Sequence, residues 1–304
     1  VIKRTIEISR ESLHVAVELD QLRLYRHEPE SGLASSIPCE DIGLLVVDHP
    51  AATYSHSALA RLIEFGAAVL ICGRDHLPAG LLLPLGTHTE GVSRLRDQIH
   101  VSRPLCKRLW KQIVRAKVGN QALNLVPGSA PCRRLLSLAS QVRSGDPTNI
   151  EAQAAKIYWA AWLGNGSDFR RDTDGGDPVN ARLNYGYAVM RAAVGRALVA
   201  SGLHPALGLQ HSHRSNSFCL ADDLLEPLRP MVDRRVRDQH LAGTVELNRT
   251  VKADLLGLLT ATVRFGDFEG PLMVGLHRMA ASLVGCYQGR TKRLLLPLEG
   301  RLDE

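Results

Sequence analysis

No two of the six cysteines, Cys39, Cys72, Cys106, Cys132, Cys219 and Cys286, stand in a CxxC pair. That excludes a thiolate zinc knuckle, and their mostly apolar neighbours fit buried free thiols in a reducing compartment. No run of about 18 uncharged apolar residues is present, so no membrane-spanning helix and no membrane partner are expected. The opening stretch, VIKRTIEISRES, lacks the apolar h-region of a signal peptide, and a cytoplasmic location in a prokaryotic cell is the expectation. Disorder is excluded by composition: 45% of the 304 residues are hydrophobic and 22% charged, enough for one large or two moderate domains. The first ninety residues also lack a convincing catalytic cluster, since His49 and His56 stand apart across a turn containing Pro50.

Charge is present in both signs but unevenly placed. The net charge is +6 with a pI near 9.1, yet residues 1–90 carry 7 Lys and Arg against 12 Asp and Glu, and residues 91–304 carry 30 against 19. An acidic front and a basic rear imply a division of labour, with any anionic partner bound by the second part. The bland reading of those arginines is that they solvate helix surfaces.

Periodicity divides the chain at the same place. KRTIEIS, SLHVAVELDQLRLYRH and the run into GLLVVD alternate with period two, and a short helix is expected at SHSALARLIEF with Ser55 or Ser57 as its cap. Residues 1–90 therefore read as a small β-rich domain, an antiparallel sheet or β-sandwich-like unit with one short helix, suited to dimerisation through sheet edges. From about Val92 the period becomes helical. Lys107, Arg108, Lys111, Arg115 and Lys117 recur at three- and four-residue intervals around Leu109, Trp110, Ile113 and Val114, a basic amphipathic helix broken from its predecessor near Pro104. Residues 91–304 read as a larger all-α domain, and the whole as α+β. Residues 168–178 read as a polar loop whose order of Asp and Gly does not match an EF-hand.

Chemistry-bearing residues gather in 203–230. His204, His211 and His213 precede Asp222, Asp223 and Glu226, followed by Arg229. Carboxylates three or four apart share a helix face and repel unless a cation lies near them. Pro227 ends or bends that helix beside Glu226. A third carboxylate, Glu151, opens the helix in NIEAQAAKIYW, where small residues allow close approach of neighbouring chain. A glutamate in a first turn also has a plain reason, the helix dipole. Glu151, His211 and the Asp223/Glu226 pair supply oxygen ligands with one imidazole nitrogen, a set that suits Mg²⁺ or Mn²⁺ completed by substrate phosphate.

Three motifs in order, NIEAQAAKIYW (149–159), DPVNARLNYGYAVMRA (177–192) and GLHPALGLQHSHRSNSFCLADDLLEPLRPMVD (202–233), give the chain a resemblance that runs over nearly its whole length. It resembles the CRISPR-associated integrases of the Cas1 family, in the branch that accompanies type II systems, its II-C division. The resemblance implies metal-binding and catalytic roles for Glu151, His211 and Glu226, with Asp223 nearby as ligand or support. Members of this branch often carry two adjacent histidines where this chain has Gln210–His211. His213, Arg214, Arg170, Tyr185 and Arg229 are the candidates for contact with DNA. The implied activity is metal-dependent transesterification joining the 3′-hydroxyl ends of a prespacer to the repeat of a CRISPR array, with DNA hydrolysis by the same site. The implied partners are a second copy through the β-domain, a dimer of a small ferredoxin-like protein in a 4:2 complex, double-stranded DNA, and the type II effector nuclease. The alternatives are a metal-dependent nuclease that cleaves branched or single-stranded DNA without integrating it, a non-catalytic DNA scaffold, and, more weakly, a membrane contact of the helix at 107–117.

The physical consequence of placing Glu151 with His211 and Glu226 is a demand on the fold. The helix that starts near Asn149 must pack directly against residues 203–230.

Overall fold

The computed structural model describes residues 3–26, 32–74, 76–84, 88–164, 167–173 and 177–298. Residues 174–176 of the polar loop lie outside them. In the front part the alternating segments form β1 (Arg4–Ile8), β2 (Leu13–Glu18), β3 (Gln21–Arg26), β4 (Leu33–Pro38), β5 (Ile42–Val47), β6 (Thr53–Tyr54), β7 (Ala68–Cys72) and β8 (Pro78–Leu82). The helix between β6 and β7, α1 (His56–Glu64), begins where the Ser55 side chain accepts the amide of Ala58.

Two four-stranded sheets result, ordered β1-β5-β7-β8 and β4-β3-β2-β6. They enclose a core of Ile8, Val15, Leu22, Ile42, Leu45 and Leu62, so the sandwich-like expectation holds. The expectation of purely antiparallel pairing does not. β1 pairs β5 and β5 pairs β7 in parallel, while β7 and β8 are antiparallel. Two crossovers are the reason: β2, β3 and β4 intervene between β1 and β5, and α1 carries the chain back over the sheet between β5 and β7.

β5, IGLLVV, is buried along its whole length. Leu45 and Val47 face the inter-sheet core, and Leu44 and Val46 join Ala68 and Leu70 in the core shared with the helices. A strand covered on both faces needs an unbroken apolar run, which this one has.

The rear part contains α2 (Gly91–Ile99), α3 (Arg103–Leu123), α4 (Ala130–Gln141), α5 (Ile150–Ala161), α6 (Pro178–Ala200), α7 (Cys219–Leu225), α8 (Arg229–Leu241), α9 (Arg249–Gly257) and α10 (Leu272–Tyr287). Pro104, Pro131, Pro178 and Pro230 sit in first turns, where a missing amide proton costs nothing. α6 runs through the middle and is buried along most of its length. Gly186 is required there, because a Cβ would lie 2.4 Å from Cγ1 of Val232 on α8.

The rear part is not all helix. β9 (Thr262–Phe265) and β10 (Phe268–Pro271) form a hairpin, and β11 (Pro297–Leu298) adds to β9. Val263 and Phe265 alternate inward from Thr262 and Arg264, and Gly266 at φ 57° makes the turn. Four residues are too few for that alternation to stand out among long helices. All six cysteines are free, and each is buried or partly buried. Among the described residues no helix is long and apolar enough to cross a membrane.

An ion pair ties front to rear. Lys252 of α9 donates to Oδ2 of Asp48 at 2.6 Å, both nearly fully buried, and lies over the Tyr185 ring. His76 contributes a hydrogen bond to Oδ1 of the same carboxylate at 3.0 Å. Asp48→Ala leaves a buried ammonium without its carboxylate and is expected to cost about 3–5 kcal/mol, whereas Asp48→Leu combined with Lys252→Met is expected to cost less than that single change. Denaturant unfolding of the three proteins checks this.

Candidate active site

Glu151 is placed by its backbone before its side chain. The chain passes Asp146 and Asn149, both with positive φ, and turns into α5. The Asp146 carboxylate accepts the amides of Ile150 and Glu151, each at 2.9 Å, satisfying donors that a helix start leaves free. The Glu151 side chain then reaches Nζ of Lys117 on α3 at 2.7 Å.

Lys117 also pairs with Oε2 of Glu226. One ammonium thus joins the two carboxylates, and α3 stands between α5 and the 203–230 stretch. α5 meets the 203–230 stretch through this bridge, and just beyond that stretch Tyr158 of α5 bonds Asp233 of α8 directly. Burial pulls the Lys117 ammonium down, but Glu226 and Glu151 outweigh it and its pKa is raised. Lys117 is not part of the solvated basic face. It follows Ile113 by four residues and Val114 by three, in phase with the apolar stripe, and is only 9% exposed. That phase was legible, and reading all five basic residues as one face concealed it.

Glu226 lies in a 3₁₀ turn, Glu226–Leu228, between α7 and α8. Pro227 sits in that turn, so the helix is interrupted beside the carboxylate as expected. Arg229 Nε donates to Oε1 of Glu226 at 2.9 Å and its guanidinium stacks over the Tyr187 ring at 4.6 Å. Burial alone would raise the Glu226 pKa, but Arg229 and Lys117 prevail and hold it at about 2. It is a carboxylate at any working pH.

His211 is oriented by Asp223, which is fully buried. Oδ2 of Asp223 accepts the amides of Leu209 at 2.5 Å and Gln210 at 3.0 Å, and Oδ1 accepts the His211 amide at 3.3 Å and meets His211 Nδ1 at 2.6 Å. The loop wraps the carboxylate so closely that a Cβ on Gly208 would lie 2.2 Å from the His211 carbonyl. With Nδ1 engaged, Nε2 is the nitrogen left for a ligand. The hydrogen bond to Asp223 outweighs burial and raises the imidazole pKa. Trp110 of α3 supports the ring edge-on, with centroids 5.7 Å apart.

Beside these groups lies a cleft of about 370 Å³, lined by His211, Glu226, Tyr187 and the guanidiniums of Arg171, Arg191 and Arg229. Arg191 pairs with Asp222 at 2.8 Å and with Asn216. Arg171 donates to the amide oxygens of Asn180 at 2.8 Å and Asn184 at 2.6 Å on α6. Phe169, packed between Trp159 and Trp162, anchors the segment that carries it. Beneath the cleft, Asp233 accepts the hydroxyls of Tyr158, at 3.0 Å, and Tyr187. Burial pushes its carboxyl up to about 7 against the pull of those two phenols.

Residues 6–252 match the model of the CRISPR associated protein Cas1 family. The chain belongs to the Cas1 family. It is 37% identical to the CRISPR-associated endonuclease Cas1 of Neisseria meningitidis serogroup C (strain 8013), over 88% of each chain. A second relative, CRISPR-associated endonuclease Cas1 2 of Pyrobaculum aerophilum, is 30% identical over 75% of this chain and 82% of that one. Among solved structures, a casposase bound to integration product superposes with a TM-score of 0.77 at 18% identity, covering 96% of this chain and 92% of that one. The Cas1 protein of Thermotoga maritima gives 0.72 at 16% identity, over 94% and 97%. These distant likenesses establish the fold: a strand-rich front followed by a helical part is the Cas1 architecture.

Of the residues singled out from sequence, Glu151 and Glu226 are brought to one ammonium, and His211 lines the cleft with Glu226. Asp223 spends its oxygens on the His211 loop. His213, Arg214 and Arg170 are exposed. Arg229 lines the cleft. Tyr185 does not: it is 0% exposed and cannot touch DNA. Two residues along a helix is a rotation of about 200°, so Tyr187 takes the cleft side instead. Arg171, Arg191 and Lys117 were missed. Asn180 and Asn184, one turn apart within DPVNARLN, were the signal for Arg171.

Whether these residues suit a divalent cation can be tested on their chemistry. Among the described residues no three His, Cys, Asp or Glu side chains form a ready-made metal cluster, because Lys117 holds the place between the carboxylates. Two carboxylates already drawn to one positive charge, one of them, Glu226, lining the cleft with the His211 imidazole, are a donor set that suits Mg²⁺ or Mn²⁺.

Asp233 gives a pH signature. Its folded pKa lies above the ordinary carboxylate value, so its contribution to stability is complete at low pH and is lost as pH rises from about 4 to about 7. The melting temperature of the wild type relative to Asp233→Asn is therefore expected to be higher at pH 5 than at pH 8, as thermal unfolding at the two pH values will show.

Proposed function

We propose that this Cas1-family chain is a spacer-acquisition integrase of the type II branch, its II-C division, which joins the 3′-hydroxyl ends of a prespacer to the repeat of a CRISPR array. The observation that carries this reading is the meeting of Glu151 and Glu226 at one cation beside His211 and three guanidiniums. It is supported by the relatives named endonuclease and by the casposase whose solved complex holds an integration product.

Glu151, Glu226 and Nε2 of His211 would hold Mg²⁺ or Mn²⁺. When bound, the ion supplies positive charge to the phosphoryl group as charge builds there. Asp223 fixes the His211 ring so that Nε2 faces the cleft, a supporting contact of the kind that orients metal-binding histidines. Arg171, Arg191 and Arg229 hold non-bridging phosphate oxygens and set the phosphodiester in line with the incoming hydroxyl. In the reaction a prespacer 3′-oxygen forms a bond to the repeat phosphorus as the repeat's own P–O3′ bond breaks. The number of phosphodiesters is unchanged, so no external energy source is needed. With water in place of the hydroxyl, the same groups hydrolyse DNA.

Residues 1–90 serve as the dimerisation unit and residues 91–304 as the catalytic and DNA-binding unit. The outer sheet's two edge strands, β4 and β6, carry exposed Leu33 and Tyr54, suitable for a second copy. A small ferredoxin-like partner dimer in a 4:2 assembly, and the type II effector nuclease, complete the proposed machinery. A solved complex titled Cas6-RT-Cas1–Cas2, similar in fold over 97% of this chain and 36% of that one with a TM-score of 0.75 at 16% identity, supports a Cas2 partner.

The test combines the purified chain and its small partner with prespacer DNA and a supercoiled repeat array. Joined products are expected, abolished by EDTA and lowered about a hundredfold or more in Glu151→Ala, His211→Ala and Glu226→Gln with DNA binding retained. Cleavage without joining would establish the nuclease alternative, and activity indifferent to EDTA and to these changes would remove the metal reading.

A further inference from the structure

The charges around Glu151 and Glu226 are already balanced. Two carboxylates face two cations, Lys117 shared between them and Arg229 on Glu226. Asp222 is matched by Arg191, and Asp223 is satisfied by the amides of Leu209, Gln210 and His211 and by the His211 ring. A dication entering here meets carboxylates whose charge is spoken for and an ammonium in its place. It would have to displace Lys117 and would leave the cleft with excess positive charge, beside Arg171, Arg191 and Arg229. Phosphodiester anions are what restores neutrality, and they offer the displaced ammonium a new partner.

We propose that Lys117 is a tethered counter-ion: it holds Glu151 and Glu226 together while no divalent cation is bound, and it makes the cation and the DNA phosphates load interdependently. Lys117 is suited to this. It is nearly buried on the long helix α3, anchored by Trp110, Val114 and Val118 on the same apolar stripe, and its ammonium is a compact charge on a flexible stem. A guanidinium with rigid geometry could not yield the position as readily. Without the ammonium, two carboxylates would face each other at the start of α5 and the 3₁₀ turn, held apart by repulsion. The consequence is functional: the site is kept assembled without DNA yet poorly loaded with metal, which restrains hydrolysis of DNA that does not fill the cleft.

This inference rests on the reading that Glu151 and Glu226 hold the cation, and the experiment separates the two. Mn²⁺ binding is measured by the electron paramagnetic resonance signal of free Mn²⁺, for the full chain alone and with a branched DNA carrying 3′-dideoxy ends. Glu226→Gln and DNA alone report binding outside the site. In the wild type, DNA is expected to tighten Mn²⁺ binding about tenfold or more, and Mn²⁺ to tighten DNA binding by the same factor. In Lys117→Met, Mn²⁺ without DNA is expected to bind about tenfold tighter than in the wild type, with a coupling to DNA reduced to a few-fold. The metal-free melting temperature of Lys117→Met should fall and be restored by Mn²⁺ more than in the wild type. Equal Mn²⁺ affinity with and without DNA in the wild type, or unaltered affinity in Lys117→Met, overturns the inference and leaves the metal site standing. Should Lys117→Met not fold, Lys117→Gln, which removes the charge and keeps a hydrogen-bonding group, takes its place with the same expected and overturning outcomes. Mn²⁺ binding indistinguishable from that of Glu226→Gln under every condition overturns both readings.

Discussion

Two carboxylates from separate parts of the chain cannot share a small volume unless positive charge keeps them there. Glu151 comes from the start of α5 and Glu226 from the turn before α8, and Lys117 on α3 is what they have in common. Much of the surrounding structure can be understood as the means of delivering these three groups. Asp146 fixes the first turn of α5, Pro227 interrupts the helix at Glu226, and the apolar stripe of α3 carries the ammonium inward. Burying Lys117 and Glu226 beside the half-buried Glu151 is costly in isolation and becomes tolerable because each has a partner.

The remainder of the site is arranged around α6. Small residues along it let neighbouring helices approach, and Gly186 allows α8 near enough for Tyr187 to reach Asp233. The same helix presents Asn180 and Asn184 to the segment bearing Arg171 and carries Arg191 directly. Positive charge on the cleft wall is therefore carried by α6 at Arg191 and α8 at Arg229, or tied to α6 by hydrogen bonds at Arg171. The β-rich front is joined to this by β5, whose two faces serve two cores, and by the buried pair of Asp48 and Lys252. Front and rear are continuous in packing even though their net charges differ in sign.

Asp223 is a fully buried carboxylate that shapes the loop around it. It gathers three backbone amides and one imidazole, and the loop from Leu209 to His211 has its shape because of it. By spacing alone Asp222, Asp223 and Glu226 are three acids within one turn or so of helix, and the family resemblance singled out Glu226, with Asp223 as ligand or support. Their fates diverge because successive helical positions point about 100° apart: one meets Arg191, one the buried loop, and one Lys117 and Arg229.

By itself the sequence determined the division into a strand-rich front and a helical rear, the helix starts at Ser55 and Asn149, the break near Pro104, and the motifs holding Glu151, His211 and Glu226. These follow from local causes, namely side-chain period, backbone restriction and capping. It did not determine the parallel pairing of β5, the short β9–β10 hairpin, the burial of Tyr185, or the place of Lys117 between two distant acids. Each of those depends on which faces meet after the chain has folded. A charged residue in phase with an apolar stripe is either a flaw or a buried ion, and only the arrival of Glu151 and Glu226 from elsewhere in the chain decides that Lys117 is the latter.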